Sequence, residues 1–427
     1  MSSLYWLILG LAITILTLII VELRIAKRKK VKIYNFSDSF TNFFCGMLER
    51  VFDVFFSVIA IYIFVYVQGN IAPFKIELSP YTWIIGLVVT DFIAYWFHRW
   101  SHQVNFLWAA HIVHHQSEEL NITTVFRVSF FAVLYRACFF VWMALAGFDI
   151  FIIVSTSIFL GCYQLFTHSR VIGNLGVLEY FMTTPSHHRV HHARNEKYMD
   201  RNYAHIFIIW DRIFGTFKQE EEEPDYGITS GFNRANAYNA TFSYWKNLFS
   251  RAKQANNSID KIKVFLKGPK WTPKDVEHLP PVFDEDESGR RLHQKFETTK
   301  NNRWYNLASI LITIFSFVGL MIYKSELKEG VTLLEMLRDQ HMITLLFVIL
   351  FSIYVHSSFI EQKKNAFLLE FIRLLLIPVA ILVSFHEYAF VNVLSPICFI
   401  YCGLLLVWSI VLFIKGENSF GKAIAEF

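Results

Sequence analysis

Residues 184–195 read TPSHHRVHHARN and place His187, His188, His191 and His192 within six positions. Two other stretches repeat the spacing: HRWSH gives His98 and His102, and HIVHH gives His111, His114 and His115. His168 follows the apolar run that ends in QLF. On a helix, residues three and four apart share a face, so each group aims two or three imidazoles in one direction. Neutral imidazole is the commonest protein metal ligand and suits iron, zinc and copper. One metal takes about four to six ligands. His98, His102, His111, His114, His115, His168, His188, His191 and His192 therefore suffice for two ions. An isolated histidine is ordinarily exposed or hydrogen-bonded, and His205, His278, His293, His341, His356 and His386 read that way. The clusters do not, because one spacing recurs three times.

Several neighbours could support such a site. His187 pairs with His191 at i+4, which makes it a supporting residue or a further ligand. Asp91 lies seven residues before His98 within an apolar run. A carboxylate there is expensive, so it either orients a ligand imidazole or bonds another helix. Asp200 and Asp211, in MDRNYAHIFIIWDRIFGTF, either orient a ligand or cap a helix. Gln164, four residues before His168, either adds an amide to the site or is a polar residue at a span end. No phosphate-binding glycine loop, dinucleotide fingerprint, nucleophile elbow or E-x-x-H pair occurs. The available chemistry is histidine ligation.

What must position these rings is a membrane scaffold. The chain has 427 residues, 54% hydrophobic and only 18% charged, with mean hydropathy +0.37. A soluble domain of this length carries more charge. Apolar runs of spanning length predict about nine crossings. They fall at 4–22, 46–67, 81–97, a hairpin in 130–167 turning at Gly147–Asp149, 304–323, 342–360, 366–385 and 390–414. RIAKRKKVK follows the first run, which places that end in the cytosol by the positive-inside rule. Counting crossings from there puts every histidine cluster at a cytosolic boundary.

The expected fold is all-α: a polytopic membrane helical bundle with a cytosolic helical cap holding a histidine-rich dimetal site. Its expected parts are N-terminal spans (1–80), a catalytic domain (81–220), a cytosolic segment (221–303) and C-terminal spans (304–427). QEEEEP and EHLPPVFDEDESGRR read as solvated loops. The net charge of +5 is modest and its basic residues border apolar runs. Membrane lipid headgroups, not nucleic acid, are the expected charged partners. The five cysteines form no CxxC, which excludes a zinc ribbon.

H-x3-H, H-x2-H-H and H-x2-H-H on a multispan scaffold resemble the fatty acid hydroxylase / sterol desaturase superfamily. The match lies at His98/His102, His111/His114/His115 and His188/His191/His192, within residues 80–220. The stretches TPSHHRVHHARN and DRNYAHIFIIWDRIFGTF, with VFLKGPKWTP at 264–273, look most like the ether-lipid-cleaving members. The resemblance implies a non-haem di-iron centre and O2-dependent hydroxylation or desaturation of a lipid. It also carries tetrahydrobiopterin as a reductant, used by the ether-lipid-cleaving members; no motif here specifies the electron donor. Where other members have a further H-x3-H, this chain has QLFTH, with Gln164 in the first histidine's place. The membrane follows the host: endoplasmic reticulum in a eukaryote, inner membrane in a bacterium. Two alternatives remain at this stage. One is a sterol or fatty acyl hydroxylase or desaturase of the same superfamily. The other is a metal transporter, which would string its histidines along a path across the bilayer.

Overall fold

The computed structural model describes residues 3–229, 236–276, 299–326, 333–361, 363–388 and 391–415. His278, His293 and the run EHLPPVFDEDESGRR lie outside them. In chain order the helices are α1 (Ser3–Lys29), α2 (Phe36–Asn70), α3 (Pro80–Gln103), α4 (Asn105–His115), α5 (Phe131–Leu145), α6 (Ile150–Thr167), α7 (Pro185–His192) and α8 (Ile209–Ile213). There follow α9 (Ala237–Gln254), α10 (Ser258–Leu266), α11 (Lys300–Glu326), α12 (Leu333–Arg338), α13 (Gln340–Ile360), α14 (Ala366–Phe385) and α15 (Val391–Ile414). Among the described residues β-structure is limited to two isolated bridges. The protein is all-helical.

Among the described residues seven helices are long and apolar enough to cross a membrane: α2, α3, α6, α11, α13, α14 and α15. Their outer faces carry large apolar side chains, such as Ile84, Ile85 and Val88 on α3 and Ile400, Leu404 and Val407 on α15. Thr90, Asp91 and Thr156 are buried within. This inverted pattern is that of a protein solvated by lipid. The chain is therefore an integral membrane protein. The count differs from about nine at two places. The first expected span falls on α1, whose N-terminal side chains lie outside those described. The expected hairpin forms, but α5 has only 15 residues. At 1.5 Å per residue it reaches about 22 Å, short of the ~30 Å hydrocarbon layer.

The chain divides into two compact units. The first comprises residues 1–49, 56–232 and 240–293 and contains every histidine cluster. Within it, Ser79 caps α3 reciprocally with Thr82, and Pro80 opens the helix. Gly86 lets α3 and α6 touch: a Cβ there would lie 2.3 Å from Ile152 Cγ2. Next to it Trp83 Nε1–H donates to Ser155 Oγ (2.9 Å), and the Thr90 and Thr156 hydroxyls are 2.7 Å apart. These contacts pair the N-terminal halves of α3 and α6, so the two helices run parallel. Gly147, at φ +85° in the α5–α6 turn, accepts Ile76 N–H at 2.7 Å. Two parallel helices thus end together, α3 at His98 and His102, α6 at His168.

The second unit comprises residues 50–55, 233–239 and 294–427. Its core joins Tyr305, Ile312, Val348, Val355, Leu374, Ile377 and Leu405. Inside it an ion pair is fully buried: Arg373 Nε–H donates to Glu370 Oε2 at 2.6 Å. Ser309 and Tyr305 hydroxyls donate to the same carboxylate. A buried pair persists only when its remaining polar atoms are satisfied in this way.

Candidate metal centre

The histidines arrive from four helices, α3, α4, the end of α6, and α7. Residue Val104 alone separates α3 from α4, so His98 and His102 meet His111, His114 and His115 across a tight corner. Arg127, fully buried, closes the end of α4. Its Nε–H donates to Val113 O (3.0 Å), and its guanidinium also reaches Asn42 Oδ1 (3.0 Å) and Gln116 Oε1 (3.3 Å). Helix α7 starts at Pro185 behind the cap residue Thr184, and every one of its residues is buried. The Glu179 carboxylate holds that end, accepting the Thr184 and Ser186 hydroxyls at 3.0 and 2.9 Å. A negative group at a helix N-terminus also meets the positive end of the dipole. Arg189 fixes the far side through a two-pronged pair with Glu220 (2.7 and 2.6 Å) and bonds to Ser169 O and Ile172 O.

The nine candidate rings converge and sort into two compact sets. One holds His98, His102, His111, His115 and His191; the other holds His114, His168, His188 and His192. Within each set one ligating atom per residue lies within 4.8 Å of all the others. The sets adjoin, with the His115 and His192 rings stacked at 4.5 Å. Each i,i+4 pair (98/102, 111/115, 188/192) stays in one set. The i+3 members His114 and His191 cross to the other. Adjacent helical residues diverge by about 100°, so one H-x2-H-H motif serves both sets.

Proton placement shows what the sets lack. His114 Nδ1–H donates to Arg127 O (3.2 Å) and His168 Nδ1–H to Gln164 O (2.8 Å). A neutral imidazole has one proton, so with the tautomers assigned from these partners both Nε2 atoms carry bare lone pairs. Yet those two atoms are 3.1 Å apart. Similar Nε2–Nε2 approaches link His168 to His188 (2.9 Å), His188 to His192 (3.1 Å), His98 to His111 (3.0 Å) and His115 to His111 (3.1 Å). The buried Nε2 atoms of His102 and His191 have no hydrogen-bond partner. Facing lone pairs repel unless a cation lies between them. Two nitrogens about 2.1 Å from one ion and at right angles sit about 3.0 Å apart. The donor set fits a metal.

Burial keeps the rings neutral. It pushes His111, His115, His168, His188, His191 and His192 well below the ordinary histidine range, with neighbouring imidazoles adding to the effect. Burial pushes His114 down to about 4. Neutral rings are the ligating form.

The loop 200–208 acts as a cradle of backbone carbonyls. Tyr203 O accepts His98 Nδ1–H (2.7 Å), and Arg201 O accepts His191 Nδ1–H (2.9 Å). Asp91 pins this loop, accepting Ile206 N–H (2.8 Å), Phe207 N–H (3.0 Å) and Trp210 Nε1–H (2.9 Å). Asp211 accepts Tyr203 N–H and Ala204 N–H, both at 2.8 Å. Neither carboxylate is bonded to an imidazole: both act through the loop. Asn202, at φ +53° and fully buried, ties the loop to His187 O (3.1 Å) and Lys218 O (2.7 Å).

The remaining candidates are placed as follows. Asp200 Oδ1 is 3.6 Å from His102 Nδ1, and the imidazole beside it holds its carboxyl below the usual range despite burial. His187 lies outside both donor sets; its Nδ1 accepts Thr184 N–H (3.3 Å), its Nε2 is 3.9 Å from Glu179, and burial pushes it down to about 4. The Gln164 backbone carbonyl orients His168, while its side chain donates to His205 O at 3.3 Å. Sequence reasoning missed the carbonyl cradle, Arg127 and Tyr203, whose ring packs on His102 at 5.2 Å. It also set His205 aside as isolated, whereas that ring lies 5.0 Å from His98.

Comparison with known proteins agrees with this geometry. The sequence profile of the fatty acid hydroxylase family matches residues 83–216. The chain is 31% identical over 378 residues to the alkylglycerol monooxygenase of Danio rerio, covering 84% of this chain and 77% of that protein. It is 37% identical over 241 residues to the Homo sapiens alkylglycerol monooxygenase, covering 55% of this chain and 53% of that one. For the Xenopus tropicalis protein of the same name the identity is 34% over 281 residues, covering 63% and 61%. The segments shared with the last two thus span about half to three-fifths of those relatives. No solved structure matches.

Proposed function

The chain belongs to the alkylglycerol monooxygenase family of membrane fatty acid hydroxylases, and from that premise we propose that it cleaves the ether bond of alkylglycerols. The net reaction inserts one oxygen atom of O2 into the C–H bond beside the ether oxygen. Two electrons and two protons reduce the other atom to water. The hydroxylated product is a hemiacetal, which collapses to a fatty aldehyde and free glycerol. Tetrahydrobiopterin is the two-electron donor in this reading.

The observation that carries the proposal is the set of facing Nε2 lone pairs at the common end of two apolar helices. His98, His102, His111, His115 and His191 would hold one iron, and His114, His168, His188 and His192 the other. Bound iron supplies the activation of O2 and the attack on an unactivated C–H bond that protein side chains cannot perform. The chain's own part is positional. His98, His114, His168 and His191 keep their protons on Nδ1, given to carbonyls, so Nε2 stays free. Asp211 holds the peptide that carries the Tyr203 carbonyl, and Asp91 holds residues 206 and 207 of the same loop. Burial excludes bulk water, which protects a reactive centre from side reactions. The lipid tail reaches the site from the bilayer, alongside α3 and α6.

We assign the site to the cytosolic side. α1 ends in Lys27, Arg28 and Lys29, and Lys29 Nζ–H donates to Val171 O at 2.9 Å, three residues beyond His168. That basic end favours the cytosol, in the endoplasmic reticulum of a eukaryote or the inner membrane of a bacterium. Residues 81–220 form the catalytic domain in this reading. Two compact donor sets at the same helix ends disfavour a transport path.

The test is incubation of purified protein with a 1-O-alkylglycerol, 18O2 and tetrahydrobiopterin, followed by mass spectrometry. The expected product is fatty aldehyde with the label in its carbonyl, read before exchange with water. Hydroxylated or desaturated acyl or sterol products, with ether lipid untouched, would move the chain to the related lipid hydroxylases.

A further inference from the structure

The two donor sets are unequal: five imidazoles in one, four in the other. His205 belongs to neither and stands beside the larger. Its ring centroid lies 5.0 Å from that of His98. Its place is fixed by the backbone on either side. Asp211 holds Ala204 N–H at 2.8 Å, Asp91 holds Ile206 N–H at 2.8 Å, and Gln164 donates to His205 O at 3.3 Å.

The ring itself is unserved. His205 Nδ1 is buried with no partner, and neither ring nitrogen has a hydrogen bond among the described residues. A neutral imidazole offers one donor and one acceptor. A buried polar atom without a partner costs about 1–3 kcal/mol and calls for an explanation. A fold that pins the backbone on both sides of such a ring, beside His98, has a place for a small polar molecule.

We propose that His205 receives the exogenous ligand of the paired donor sets. The ligand is a small oxygen or nitrogen donor, water or hydroxide at rest and O2 or an azide-like anion when supplied. The imidazole hydrogen-bonds it from outside the coordination sphere. His205 is thus a positioning residue for the non-protein ligand. The proposal rests on the reading of the two sets as metal sites.

The experiment uses full-length iron-loaded protein and its His205→Ala and His205→Gln variants. Iron per chain is measured first. Azide is then titrated into the ferric protein, and its charge-transfer absorption gives Kd. Iron is expected to stay at the wild-type level in both variants. Azide Kd should rise about tenfold in His205→Ala, the loss of one hydrogen bond to a charged ligand, and recover in part in His205→Gln. Unchanged azide affinity in His205→Ala overturns the proposal. So does loss of about half the iron, which would make His205 a metal ligand. A wild-type protein that takes up no iron is a separate result: it removes the metal reading on which the proposal stands.

Discussion

Asp91→Ala tests how the fold holds the site without touching a ring. The wild-type carboxylate accepts three donors: Ile206 N–H, Phe207 N–H and Trp210 Nε1–H, at 2.8 to 3.0 Å. Truncation leaves all three unsatisfied in a place with no solvent exposure, since Asp91 is 0% exposed. Each buried unsatisfied group costs about 1–3 kcal/mol. The sum is about 3–9 kcal/mol, and water entering the new cavity brings it toward the lower bound, about 3 kcal/mol. The loop then relaxes, Tyr203 O leaves His98 Nδ1, and the larger donor set loses its alignment. Loss of such outer support lowers metal affinity about 10–100-fold. Asp149→Ala is the control. Its carboxylate caps α6 through Phe151 N–H at 2.8 Å, in an exposed position, and its loss costs about 1 kcal/mol. The assay is chelator competition for iron alongside thermal unfolding in detergent. Asp91→Ala should lose iron at about 10–100-fold lower chelator concentration, whereas Asp149→Ala should match wild type. Wild-type iron retention in Asp91→Ala would refute the loop-cradle reasoning.

Other expectations are as direct. His187→Ala should keep wild-type iron content and lose about 1 kcal/mol of stability, because its ring serves the start of α7; loss of iron would put it among the ligands. Metal-free protein should lose stability as pH falls from about 6.5 toward 4. Burial holds His114 down to about 4 while the unfolded chain takes up a proton near 6.5. The unfolded state therefore binds more protons in that window, which costs up to about 1.4 kcal/mol per pH unit per histidine; unfolding midpoints that do not change over this range would contradict buried neutral rings. Glu370→Leu should destabilise the second unit by about 3–5 kcal/mol, since Arg373 is left charged, buried and unpaired; a proteolysis pattern identical to wild type would oppose this.

Spacing made the histidines readable, because i,i+4 residues share a helical face whatever surrounds them. Partition into sets was not readable. His114 follows His111 by three residues and lies one helical turn's fraction away from His115, enough to send it to the other set. Asp91 stood out as a carboxylate in an apolar run, but its partners are backbone N–H groups of residues 206 and 207, which leave no mark in sequence. The carbonyls of Arg201 and Tyr203 are silent for the same reason. α5 read as part of a two-span hairpin because hydropathy does not see where a helix starts, and Phe131–Leu145 is too short to cross. His205 lies outside the recurring histidine motifs, and only the fold of the 200–208 loop brings it to His98.

Titration of iron(II) into metal-free protein under argon, followed by counting of bound iron per chain, tests the central claim most directly. The account predicts about two ions in the wild-type chain and about one in His168→Ala, since that change breaks only the four-histidine set. A wild-type chain that binds none, or a His168→Ala chain that binds as many as wild type, would contradict it.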